Sequence, residues 1–286
     1  MPLEYRFHGM SFVAIIGAGA IGGSLAHRLA GRDCVGEVRL IDTDVNVAEG
    51  KALDILQSAP IGCFSTRLTA SGSLLSAAGA DAIVIADAAS GKGEHEGGAG
   101  LGVLRQLAAV ESRAPIVCAG AAQRGLMQRA VGELRMSESR VVGSAPLALE
   151  SALRALAGLA LDGSGVEVTL RVVGVPPDGA VVAWEEATAF GQPIASEMPP
   201  HVMLGLSARI PDLWPPGPCA LTSAAARVVE GIVNGGRGRF SCFVSLSRGR
   251  VAAMPVELGP DGIRKVHEPV LTRQERTAFE SAIEKP

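Results

Sequence analysis

The chain has little with which to hold nucleic acid, a membrane or a metal. Its net charge is −3 and its pI about 6.0, so no basic patch is broad enough to read as a nucleic-acid footprint. No uninterrupted apolar run reaches the length of a membrane span. Residues 1–10 carry Glu4, Arg6 and His8 but no apolar h-region, which argues against a secretory leader and for a cytoplasmic address. Cys34, Cys63, Cys118, Cys219 and Cys242 are odd in number and far apart, with no CxxC pair. Neither a disulfide framework nor a zinc site is expected, and the five read as buried, reduced small hydrophobes. No two histidines have metal-ligand spacing, so no metal is expected. Aromatic residues make up only 3% of the chain, which makes Trp184 and Trp214 core or interface positions, because few other large groups can close the apolar surface.

What the chain does have is 286 residues with 48% hydrophobic and 19% charged content, the balance of an ordinary globular protein. Its organising stretch runs from Ser11 to Asp42. Gly17, Ala18, Gly19, Ala20, Ile21 and Gly22 fit a GxGxxG template between an apolar strand, Phe12 to Ile16, and a helix with Ile21, Leu25 and Leu29 on one face. Gly17 permits the tight turn, Gly19 lets the backbone approach a pyrophosphate, and Gly22 lets the helix pack close to the strand. The free N–H groups of the helix N-terminus then face the phosphates. Twenty residues past Gly22, the second strand ends at Asp42, whose carboxylate can accept ribose hydroxyls. Thr43 and Asp44 follow where a 2′-phosphate would need an arginine, so the expected cofactor is NAD rather than NADP.

A helix is expected from Asn46 to Leu56, ended by Pro60 and Gly62. A buried parallel strand follows at Asp81 to Ala86, opening into a glycine-rich loop, Ser90 to Gly100, expected to be mobile. A helix at Leu101 to Ser112, a strand at Pro115 to Cys118, a helix at Leu126 to Leu134 and a strand at Arg140 to Val142 complete the alternation of a doubly wound parallel sheet. The pattern then changes, and the chain divides into residues 1–145 and 146–286. The second part reads as α+β: a helix through Leu156, a strand from Val166 to Val175, a helix from Leu221 to Val233, and paired strands at Phe240 to Leu246 and Val251 to Leu258. Thr272 and Glu275 form a capping box before a last helix with Phe279 and Ile283 on one face.

Two stretches resemble the lactate/malate dehydrogenase family. One is Ile41 to Pro60, with Asp42, Val47 and the run Glu49 to Asp54. The other is Met254 to Glu284, with Val256, Leu258, Gly259, Gly262 and the helix from Thr272. The resemblance spans the chain and implies an NAD-binding Rossmann half, a catalytic half and assembly as a homodimer or homotetramer. It also implies hydride transfer between nicotinamide and the carbon bearing a 2-hydroxyl, with a histidine base and arginines for the carboxylates.

Taken onto this sequence, the family's site is depleted. Its histidine belongs to a GxHGD run, here Gly174 Val175 Pro176 Pro177 Asp178, so Pro176 stands in its place and Asp178 keeps the acid. The histidine's aspartate partner belongs to an LDxxR run, matched by Leu149 to Arg154. Glu150 replaces the aspartate, and Arg154 falls one residue late, a rotation of about 100° on a helix. No arginine lies between Arg67 and Arg105, where the family's lid carries two, and Lys92 is the only lysine there. A lysine gives no bidentate grip on a carboxylate. No asparagine lies between Asn46 and Asn234, although the family uses one after the strand at Ile116 to Cys118.

Two functions are consistent with this pattern, and a pseudoenzyme with no ligand at all is a third reading. One is an NAD(H)-binding protein that has lost the family's hydride-transfer site. The other is an NAD-dependent oxidoreductase acting on a non-standard small molecule with a relocated acid/base among His95, Glu150 and Asp178. His201, His27, His8 and His267 are read as surface or packing residues, and Glu185 and Glu186 as a solvated helix face.

Overall fold

Short apolar strands with C-terminal ends pointing one way generate the architecture of the computed structural model, which describes residues 11–91, 93–110, 113–236 and 238–284. The first half alternates β1 (Phe12–Ile16), α1 (Ala20–Gly31), β2 (Glu37–Ile41), α2 (Val45–Gly62), β3 (Arg67–Ser71), β4 (Ala82–Ile85), α3 (Gly97–Ala109), β5 (Ile116–Cys118), α4 (Arg124–Gly132) and β6 (Val141–Gly143). These strands pair in parallel in the order β3-β2-β1-β4-β5-β6. Helices on both faces explain why the central strands are apolar at every position: Val13, Ala14, Ile15, Ile83, Val84 and Ile85 are all fully buried.

The second half contributes α5 (Ala145–Ala160), β7 (Val168–Thr169), β8 (Val172–Val175), β9 (Gly179–Val182), β10 (Thr188–Ala189), β11 (Gln192–Pro193), α6 (Ile194–Glu197), α7 (Pro200–Ala208), α8 (Pro218–Val233), β12 (Arg239–Leu246), β13 (Arg250–Gly259), β14 (Gly262–Val266) and α9 (Arg273–Glu284). Its β12 joins β6 antiparallel through Phe243 and Gly143, so the sheet continues through β13, β8 and β9 into the second half. A close approach requires the glycine at 143, since a Cβ there would press on Phe243 and Met127. Trp214 meets Phe243 edge to face, with centroids 6.0 Å apart. A small sheet, β11-β10-β7, and a separate apolar cluster around Leu149, Leu153, Val168 and Ile194 cover the outer end.

Several expectations need correction. The helix α2 continues through Pro60 to Gly62 and ends at Cys63 in the left-handed region. A proline in the last turn removes one N–H and crowds one carbonyl, a cost the flanking turns carry. The edge strand β3, Arg67 to Ser71, carries no strand signal in its sequence, because three of its five residues are polar. The strand expected from Val166 to Val175 is broken into β7 and β8. The loop expected through Gly100 is shorter, since α3 begins at Gly97. It is also folded: Ala88 N–H donates to Gly93 O, and Asp87 and Glu94 pair as an antiparallel bridge. Lys92, Ser112 and His8 lie outside the described residues. Cys118 and Cys242 are buried and Cys34 half-buried, but Cys63 and Cys219 are exposed, as is His27. Among the described residues, no helix is long and apolar enough to cross a membrane and no cluster of metal-ligating side chains occurs.

Candidate functional site

The parallel strands deliver three acids and one glycine loop to the same edge. Gly17 turns there at a φ of 103°, and its N–H donates to Ile41 O at 2.8 Å. A Cβ on Gly22 would collide with the carbonyl oxygen of Gly17, so helix and turn pack as closely as the sequence expects. Lys51 Nζ donates to Gly19 O at 2.7 Å and holds α2 against the turn. Ala20, Ile21 and Gly22 then present three converging N–H groups at the start of α1, a cradle of the kind that binds a phosphate.

That cradle is taken by the chain itself. The N–H of Ala20 donates to Asp87 Oδ2 at 2.7 Å, and those of Ile21 and Gly22 donate to Asp87 Oδ1 at 2.9 and 3.0 Å. Gly19 leaves the room for this carboxylate, since a Cβ on it would collide with the Asp87 side chain. Shape and donors fit a pyrophosphate, but in this conformation the anion they hold is Asp87.

Asp42 is buried, 5% exposed, at the end of β2. Its Oδ2 accepts from Ala18 N–H and Ala89 N–H, both at 2.8 Å, and its Oδ1 from Asp44 N–H at 2.9 Å. Burial pushes its pKa up, but these N–H groups and the nearby His95 outweigh it and hold the carboxyl below the usual aspartate range. Thr43 and Asp44 are exposed beside it. Glu94, from the hairpin, accepts from Ala121 and Ala122 N–H at 3.0 and 2.8 Å, just past β5. Its pKa is raised, by burial first. Gln123 Nε2 donates to the carbonyls of Ala86 and His95, so the hairpin is tied at both ends.

The positions that the resemblance matches to catalytic residues lie in the second half of the chain. Glu150 is 1% exposed on α5. Its oxygens accept from Arg171 Nη1 at 3.1 Å and Ser241 Oγ at 2.5 Å, and burial pushes its pKa up against both partners. It borders a cavity of about 250 Å³ shared with Arg154, Arg171, Arg227 and Arg239. Arg154, on the same helix, donates from Nε to Val168 O at 2.6 Å. Pro176 and Pro177 close the β8 to β9 hairpin, with Asp178 exposed in the turn. His95 is half-buried; burial lowers its pKa while Asp42 and Asp87 oppose that shift. His95 therefore sits among the cleft acids, and Glu150 among the arginines, with no shared partner among the described residues.

Sequence reasoning missed Asp87, Glu94, Arg171 and Ser241. Asp87 had a usable signal: an acid directly after a buried parallel strand lies on the same edge as the glycine turn. Arg171 and Ser241 had none, because only the sheet order brings them to Glu150.

Residues 12–97 match the family model described as the lactate/malate dehydrogenase NAD binding domain. A malate dehydrogenase of Thermomicrobium roseum is 27% identical, with 93% of each chain covered. A malate dehydrogenase of Chlorobium phaeobacteroides is 40% identical over 73 residues, 26% of this chain and 24% of that one. Among solved structures, a lactate dehydrogenase from Cryptosporidium parvum, complexed with lactic acid and nicotinamide adenine dinucleotide, superposes with a TM-score of 0.84 at 18% identity, covering 96% of this chain and 95% of that one. A malate dehydrogenase from Picrophilus torridus gives 0.81 at 22% identity, covering 96% and 94%. Over its nucleotide-binding half the chain is similar in sequence, and over nearly its whole length similar in fold, to the lactate/malate dehydrogenase family.

Proposed function

We infer that the chain is an NAD(H)-binding member of the family that does not perform hydride transfer on 2-hydroxy acids. NAD is the cofactor: the matched domain is an NAD binding one, and Asp42 with exposed Asp44 beside it suits a free ribose rather than a 2′-phosphate. The observation that carries the loss is Pro176 at the histidine position, while Glu150 is engaged by Arg171 and Ser241 instead of an imidazole. A hydroxyl proton then has no base to accept it. The lid also brings no arginine to a substrate carboxylate, because none lies between Arg67 and Arg105, and Arg154 donates to a backbone carbonyl. The alternative, a relocated acid/base, would fall to His95, which has Asp42 and Asp87 for neighbours. Exposed Leu53, Leu56 and Ile61 on α2 suit assembly as a homodimer or homotetramer, which sedimentation will read directly.

The test is calorimetry with NADH followed by steady-state assays with oxaloacetate and pyruvate. NADH is expected to bind and both acids to turn over at background. Pro176→His is expected to stay at background as well, although a general base contributes a factor of about 10² to 10⁴. Catalytic groups that act as a unit are non-additive, so one restored member recovers little. Turnover by the natural chain, or by this single variant, would sink the reading.

A further inference from the structure

We propose that Asp87 is an intramolecular stand-in for the cofactor's pyrophosphate, holding the dinucleotide cleft closed until the nucleotide displaces it. This rests on the reading of the cleft as an NAD(H) site. Three N–H groups at the start of α1 converge on one acceptor position, and Asp87 fills it with both oxygens. Gly19, the residue whose missing side chain opens the cradle, makes that room for Asp87 instead. A pyrophosphate and this carboxylate need the same donors, and both are anions, so they exclude each other by space and by charge.

The rest of the hairpin holds Asp87 in place. Its carbonyl accepts from Gly19 N–H at 2.9 Å, and Ala86 N–H donates to Ile16 O at 2.9 Å, which fixes the main chain to the sheet edge. Two residues on, Ala89 N–H donates to Asp42, the acid expected to take the ribose hydroxyls. At the far end of the bridge, Glu94 accepts from Ala121 and Ala122. One hairpin therefore contacts the pyrophosphate cradle, the ribose acid and the turn after β5. Because the main chain at Ala86 and Asp87 is bonded on both sides, opening the cradle requires rotation of the Asp87 side chain rather than loss of the strand. The apparent affinity for a dinucleotide is then reduced by the fraction of molecules in which that side chain has left.

A purely structural cap predicts that removing Asp87 costs stability and changes nothing else. A competitor predicts opposite signs. Asp87→Ala is expected to lower the melting temperature, because the cap of α1 is lost. It is expected to bind NADH and ADP-ribose roughly tenfold more tightly than the natural chain. Adenosine, which has no phosphate, is expected to bind both proteins equally. Asp87→Asn keeps an oxygen to cap the helix and removes the charge, so it folds even where the alanine variant does not, and its NADH affinity is expected to rise as well. Equal NADH affinity in the natural chain and both variants overturns the proposal and leaves the NAD(H) reading standing. A gain for adenosine equal to that for NADH overturns it too, since the effect would not act through the pyrophosphate. No binding of NADH at millimolar concentration by any of the three removes the NAD(H) reading, and the proposal with it.

Discussion

Arg171→Ala is expected to destabilise the chain by about 3 to 5 kcal/mol, the cost of leaving one member of a buried ion pair alone. Glu150 is 1% exposed, and its partners are Arg171 and Ser241. Without the guanidinium, one carboxylate oxygen loses its donor in a place water reaches poorly. The loss corresponds to a fall in melting temperature of roughly 6 to 20 °C for a chain of this size. Its pH dependence has a definite sign. The folded-state pKa of Glu150 is raised above its ordinary value by burial. Its favourable contribution is therefore present below about pH 4.3, where both states are protonated, and is lost as pH rises through the folded pKa. Removing Arg171 raises that pKa further, so the variant is expected to lose more stability toward neutral pH than the natural chain. Glu150→Gln placed on Arg171→Ala removes the buried charge and is expected to recover part of the loss. Thermal melts between pH 4 and 8 check this, and a variant as stable as the natural chain across that range would show that the pair contributes nothing.

Asp42→Ala is expected to act on stability and on cofactor together. Its carboxylate satisfies the N–H groups of Ala18, Asp44 and Ala89. Ala18 is fully buried, so at least one donor would be left without a partner in the interior. Unsatisfied buried donors cost about 1 to 3 kcal/mol each, which puts the loss near roughly 3 kcal/mol. NADH affinity is expected to fall as well, since the ribose acid is gone. The acid limb of stability should also change. The folded pKa of Asp42 is depressed, so its contribution is present above about pH 4 and lost as pH falls through the folded value. In the variant that part of the acid destabilisation is expected to be missing. Calorimetry with NADH and melts from pH 3 to 7 separate the two effects. Unchanged NADH affinity would show that the ribose is held elsewhere.

Much of the scaffold was legible because it is written locally. The turn at Gly17, the close packing at Gly22, the α/β alternation and the pairing of β12 with β13 all follow from patterns within a few residues. The capping box of α9 did too: Thr272 N–H donates to Glu275 Oε2 at 2.7 Å, and Glu275 N–H donates back to Thr272 Oγ1 at 3.2 Å. The exceptions were elements whose stability is not local. The polar strand β3 exists because β2 offers it an edge, and β7 and β8 are separate because the chain changes partner between two sheets.

By itself, the sequence determined that a dinucleotide cradle exists, that Asp42 ends the second strand, and that no imidazole stands at position 176. Each depends on residue types at fixed short spacing, where backbone geometry leaves few choices. Only the tertiary structure decided what those groups touch. Asp87 reaches the start of α1 across 65 to 67 residues, Arg171 reaches Glu150 across 21, and Ser241 reaches it across 91. Contacts over such separations are fixed by the order in which strands pair, and a carboxylate buried by that order bonds to whatever donors the neighbouring strand ends supply.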